Sequence, residues 1–138
     1  MKKINSKCEF SSERSELLLL NFRKAIARQS KICAKKAFQE AAEAPAPRFW
    51  VSEARAMRIV SMLFKGLDPT EGMHPEKREM YLEIFRRTKA LKEANPSLPL
   101  GDIVFDVVNN SAPRSYISWE WAQKIINARK KQSQKPLS

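Results

Sequence analysis

The chain has 138 residues, 43% of them hydrophobic, enough for one compact core or two very small ones. Its 26 Lys and Arg against 15 Asp and Glu give a formal net charge of +11, a field that favours polyanions: DNA, RNA or an anionic membrane surface. Two cysteines, Cys8 and Cys33, and a single histidine, His74, stand at no ligand spacing, which argues against a disulfide framework and a zinc site.

The basic start, Met1-Lys2-Lys3, leads into Glu9, Glu13, Arg14 and Glu16, which interrupt any signal-peptide core. The longest aliphatic run, Leu17 to Leu20, is far short of the roughly 20 residues of a membrane span. A cytoplasmic protein is expected. A first helix runs from about Ser12 to Gln29, with Leu18, Phe22, Ala25 and Ile26 at helical spacing. Ser30 reads as the N-cap of a second helix, about Lys31 to Ala42, which Pro45 and Pro47 end. Cys33 reads as a small buried apolar residue. Ser52 caps a third helix that runs to Lys65, with Gly66 as its stop.

Turn formers from Asp68 to His74 then separate two halves. Pro75 opens a fourth helix to about Ala94, ended by Asn95-Pro96. Pro99 opens a fifth, to about Asn109, and Ser118 caps a sixth, from Trp119 to about Lys131. Ile103-Val104-Phe105 is β-prone, but its counterpart in the first half, Ala37-Phe38-Gln39, is helix-forming.

The two halves are copies. Ala46-Pro47-Arg48-Phe49-Trp50-Val51-Ser52 recurs as Ala112-Pro113-Arg114-Ser115-Tyr116-Ile117-Ser118. Ala56, Arg58, Ile59 and Val60 then fall on Ala122, Lys124, Ile125 and Ile126, and upstream Phe22-Arg23-Lys24 matches Phe85-Arg86-Arg87. The expected fold is all-α, with about six helices in two tandem three-helix units of helix-turn-helix-like geometry. The expected organisation is an extended or disordered start at 1–11, repeats at 12–67 and 76–131, a linker at 68–75 and a disordered tail at 132–138. Residues 1–66 carry 14 Lys and Arg against 6 Asp and Glu, hence +8; residues 67–138 carry 12 against 9, hence +3.

On a helical projection Ala56, Ile59, Val60 and Leu63 share one face. Arg55, Arg58, Ser61, Met62 and Lys65 fall opposite. The last helix repeats the arrangement, with Ala122, Ile125 and Ile126 inside and Trp121, Lys124, Asn127 and Lys131 outside. A short helix, a turn and a Ser-capped helix with a basic outer face resembles a helix-turn-helix unit, in which the second helix enters the major groove. The connection from Ala44 to Ser52 is longer than the usual turn and contains no glycine.

Candidate nucleic-acid contacts are therefore Arg55, Arg58, Ser61 and Lys65, with Lys124, Asn127 and Lys131. Arg48 and Arg114 either bond to helix-end carbonyls or grip a phosphate. Trp50 and Tyr116 either pack across a core or form a stacking platform for bases. Ser52 and Ser118 are explained by N-capping, with a phosphate contact as the alternative. Trp121, on an outer face, is a candidate partner contact.

No nucleophile–base set can be assembled, and the three glycines form no phosphate loop, so no enzyme and no cofactor is expected. Asp102 and Asp106 could hold a metal with Glu83, but they read as solvated charges. The expected partner is duplex DNA, in transcriptional regulation or an accessory role in a mobile element or prophage. Alternatives are a protein–protein adaptor or self-association using Trp121 with Met62 or Phe64, and RNA binding.

Overall fold

The structure, a computed structural model, describes residues 10–134. It is all-helical: α1 (Ser11–Arg28), α2 (Ala34–Glu43), α3 (Glu53–Phe64), α4 (Pro75–Ala94), α5 (Leu100–Val108) and α6 (Trp119–Gln134). The start at 1–9, with Cys8, lies outside the described residues.

Local chemistry sets the helix ends. Ser52 Oγ accepts the Arg55 N–H at 3.2 Å, and Ser118 Oγ accepts the Trp121 N–H at the same distance. These bonds fill one unsatisfied donor at the start of each third helix. Gly66, at φ 86°, supplies the left-handed residue after α3. His74 Nδ1 accepts the Glu76 N–H at 3.2 Å, so this histidine caps α4.

Three expectations are corrected. The second helix starts at Ala34 rather than Lys31, because Gln29 Oε1 takes the Cys33 N–H at 2.6 Å and holds 30–33 as a loop. Cys33 then sits at the N-cap position and is exposed, not buried. The last helix continues through Gln134, since Lys130, Lys131 and Gln132 are good helix formers; 135–138 lie outside the described residues.

The repeat is visible in the burial. Ala37, Phe38, Ala41 and Ala42 of α2 are buried, and so are Ile103, Val104, Val107 and Val108 of α5. Ala46, Val51, Ala56 and Val60 are buried, as are Ala112, Ile117, Ala122 and Ile126.

The helices do not group in chain order. α3 packs on α4 and α5, whereas α6 packs on α1 and α2. Each three-helix bundle therefore takes its third helix from the other repeat. Two separate cores result. One joins Val60 and Ile59 to Tyr81, Ile84 and Val104; the other joins Ala122 and Ile126 to Leu18, Phe22 and Phe38. This corrects the tandem grouping: consecutive helices α2 and α3, or α5 and α6, do not pack as a helix-turn-helix pair.

The connecting segments explain the exchange. Pro45 and Pro47 end α2 and begin a nine-residue connection, 44–52, that bends at 47–48 and again at 50–51, where Val51 N–H donates to Phe49 O at 2.9 Å. That carries α3 away from its own α1 and α2. Where the two segments cross, Ala46 N–H donates to Ala112 O at 2.9 Å and Ala112 N–H donates to Ala46 O at 2.8 Å. Phe49 N–H donates to Val108 O at 3.0 Å; the equivalent bond, Ser115 N–H to Ala42 O, measures 3.4 Å. Each bond maps onto its mate by exchanging the repeats, so the crossing is a pseudo-twofold junction.

Candidate nucleic-acid interface

The two repeated arginines face the junction. Arg48 Nε donates to Phe49 O at 2.9 Å and Nη2 to Val51 O at 2.9 Å, while Nη1 reaches Asn109 Oδ1 at 3.0 Å. Its guanidinium also lies 3.8 Å from the Phe10 ring centroid. Arg114, with its side chain 16% exposed, meets Glu43 at 3.0 Å, Glu76 at 2.6 Å and Glu79 at 3.3 Å. Burial works against its charge, but the carboxylates of Glu76 and Glu43 outweigh burial and hold it above its ordinary pKa. Asn109 and Glu43 are equivalent repeat positions, so both arginines bind the same place in different chemistry. Both guanidinium groups are engaged inside the protein and are poorly placed for a phosphate.

The aromatic pair is also internal. Trp50 is buried, and its Nε1–H donates to Ser115 Oγ at 3.2 Å. Phe49 stacks on Tyr116 with ring centroids 6.0 Å apart. Tyr116 takes a positive φ of 55°, a conformation costly for a residue with a Cβ. Burial raises its phenol pKa. These contacts hold the two repeats together, and no open stacking platform exists at Trp50.

The outer faces of α3 and α6 are different. Arg55, Arg58 and Lys65 are exposed, and no carboxylate among the described residues lies within ion-pair distance of them. Ser61 lies between them, half-buried. Glu53, the nearby acid, accepts a bond from Asn109 Nδ2 at 3.0 Å, which holds its carboxyl below the usual range. On α6, Lys124, Asn127 and Lys131 point away from the core, and Lys124 Nζ sits 5.4 Å from the Trp121 ring centroid. Trp121 is 51% exposed.

The structure thus brings the predicted contacts together within each helix but assigns the two helices to different bundles. It also brings a basic residue of α2 beside α6. Lys35 of α2 places its ammonium 5.1 Å from the Trp119 ring centroid on α6. Nothing in the sequence pairs α2 with α6, since that neighbourhood arises only from the exchange.

Asp102 and Asp106 are exposed, and no group of three His, Cys, Asp or Glu among the described residues is placed to hold a metal ion. No helix among them is long and apolar enough to cross a membrane. Comparison with known proteins gives no match: no family model, no curated protein and no solved structure resembles the chain.

Proposed function

We propose that this chain is a DNA-binding protein, of the kind that serves transcriptional regulation or a mobile element or prophage. The last placement is by analogy with other small basic helical proteins. One observation carries the proposal. The same outward positions of the two third helices hold cations with no carboxylate among the described residues at ion-pair distance: Arg58 and Lys65 on α3, Lys124 and Lys131 on α6. A cation without a local counter-charge is free to replace a counterion at a phosphate. Arg55, Ser61 and Asn127 complete the two faces. Arg48 and Arg114 drop out of the contact set because their donors are occupied.

Each of these third helices is backed by a short helix of the other repeat: α5 supports α3, and α2 supports α6. Binding to a labelled duplex across a salt series tests the proposal. The logarithm of affinity is expected to fall linearly with the logarithm of salt concentration. A flat response, or no binding at low salt, contradicts it. Competition with single strands and structured RNA separates duplex from RNA binding.

A second reading, a contact surface for a protein partner, draws on the exposure of Trp121 together with Phe64 at 41%. Self-association or partner capture that vanishes in Trp121→Ala would favour it.

A further inference from the structure

The two connecting segments are equivalent in sequence but not in backbone. In the first, Arg48 donates to Phe49 O and Val51 O, and Val51 N–H donates to Phe49 O. Residues 49–51 are thereby pinned. In the second, Arg114 turns to Glu43, Glu76 and Glu79 and bonds to neither equivalent carbonyl, Ser115 O or Ile117 O. Among the described residues, no backbone hydrogen bond ties 116–118 to another element. Tyr116 holds a positive φ of 55°, whereas its counterpart Trp50 does not. Backbone strain therefore sits at the one unpinned point of the crossing.

Past Tyr116 the described chain is α6 and its short lead. This helix packs on α1 and α2 and on no other helix among the described residues. Ala122 and Ile126 are fully buried in the core with Leu18, Phe22 and Phe38. Arg129 meets Glu16 of α1 at 2.5 Å, and Lys35 of α2 lies over Trp119. The surface of α1 and α2 thus already receives a third helix delivered from the other repeat.

We propose that two copies of this chain exchange α6, so that α6 of each copy packs on α1 and α2 of the other. Tyr116 is the hinge. Its φ becomes negative in the exchanged form, which relieves strain once in each chain. The Ala46–Ala112 bonds and the bond from Ser115 N–H to Ala42 O precede the hinge and stay within each chain. The contacts of α6 are remade one for one between chains. The dimer gives up the Tyr116 ring contacts with Phe49 and Arg114 and the freedom of two separate chains. The proposal is independent of the DNA-binding reading.

The test uses the full chain carrying Cys8→Ser, Cys33→Ser, Glu16→Cys and Arg129→Cys, which sets one thiol on α1 beside one on α6. Size-exclusion chromatography at high protein concentration separates monomer from dimer. Each fraction is then diluted and treated with a short bismaleimide. On a denaturing gel the dimer fraction is expected to run as a covalent dimer and the monomer fraction as a monomer. A dimer fraction whose cross-links fall within single chains overturns the proposal. So does the absence of any dimer of the wild-type chain.

Two hinge variants test the mechanism. Tyr116→Gly and Tyr116→Ile both remove the ring, but glycine accepts a positive φ and a β-branched residue does not. The association constant of the dimer is expected to be at least about tenfold larger for Tyr116→Ile. Equal constants in two variants of unchanged helical circular dichroism overturn the hinge. Trp121→Ala, on the outer face of α6, should leave the dimer intact. A dimer lost in that variant is a surface contact, and the exchange is overturned.

Discussion

Ala46 and Ala112 hold the same position in the two repeats, and they bond to each other. Each donates its N–H to the other's carbonyl, at 2.9 and 2.8 Å. The repeat axis therefore passes between them, and the two connecting segments run antiparallel across it. Everything beyond this crossing follows: α3 goes to α4 and α5, and α6 to α1 and α2.

Both alanines are buried, at 3% and 2% exposure, so a larger side chain has no room at the crossing. Ala46→Val and Ala112→Val are each expected to cost about 1–3 kcal/mol through overpacking. Urea unfolding measures the effect. The two changes should not add, because the residues touch each other.

Arg114 distinguishes a structural arginine from a phosphate-binding one. Arg114→Gln leaves Glu43, Glu76 and Glu79 close together with no cation between them. Two of these carboxylates are largely exposed, so solvent screens their repulsion; the expected destabilisation is about 1–2 kcal/mol. The melting temperature should fall, and Glu79→Gln in the same chain should restore part of it. The salt slope of duplex binding should stay at the wild-type value.

Asp68 gives the loop between repeats a dependence on pH. The Thr70 hydroxyl and the Thr70 N–H both donate to its carboxylate, at 2.5 and 3.0 Å, and Arg78 adds a bond at 3.4 Å. The hydroxyl bond is the largest cause of its lowered pKa. A lowered folded pKa means that the stabilisation is present at neutral pH and is lost as pH falls below the ordinary 3.8. Asp68→Asn should lower the melting temperature at neutral pH. In strong acid the variant and the wild type should converge.

Much of this architecture is written locally. Capping serines at 52 and 118, Pro75 at the start of α4 and the apolar stripe through Ala56, Ile59 and Val60 each follow from neighbours a few residues away. The repeat also predicts burial, because equivalent residues need equivalent cores. What the sequence does not show is which core. Ala122 and Ile126 would complete either bundle equally well, and the choice is made by connecting segments whose bonds are non-local. For the same reason Arg48 and Arg114 read equally as phosphate or carbonyl ligands until Asn109 and Glu43 are placed beside them. Lys35 shows no relation to α6 until the exchange makes them neighbours. Cys33 is misplaced for a local reason, the Gln29 side chain that delays α2.

The central claim is that each bundle needs helices from both repeats. A protease site inserted after Gly72, in the exposed turn ahead of α4, allows the folded full chain to be cut into its two repeats without added denaturant. Size-exclusion chromatography of the cut protein should give a single peak at the size of the uncut chain, with both fragments in it and unchanged helical circular dichroism. Separation of the two fragments into independently folded species under the same conditions would contradict the exchange.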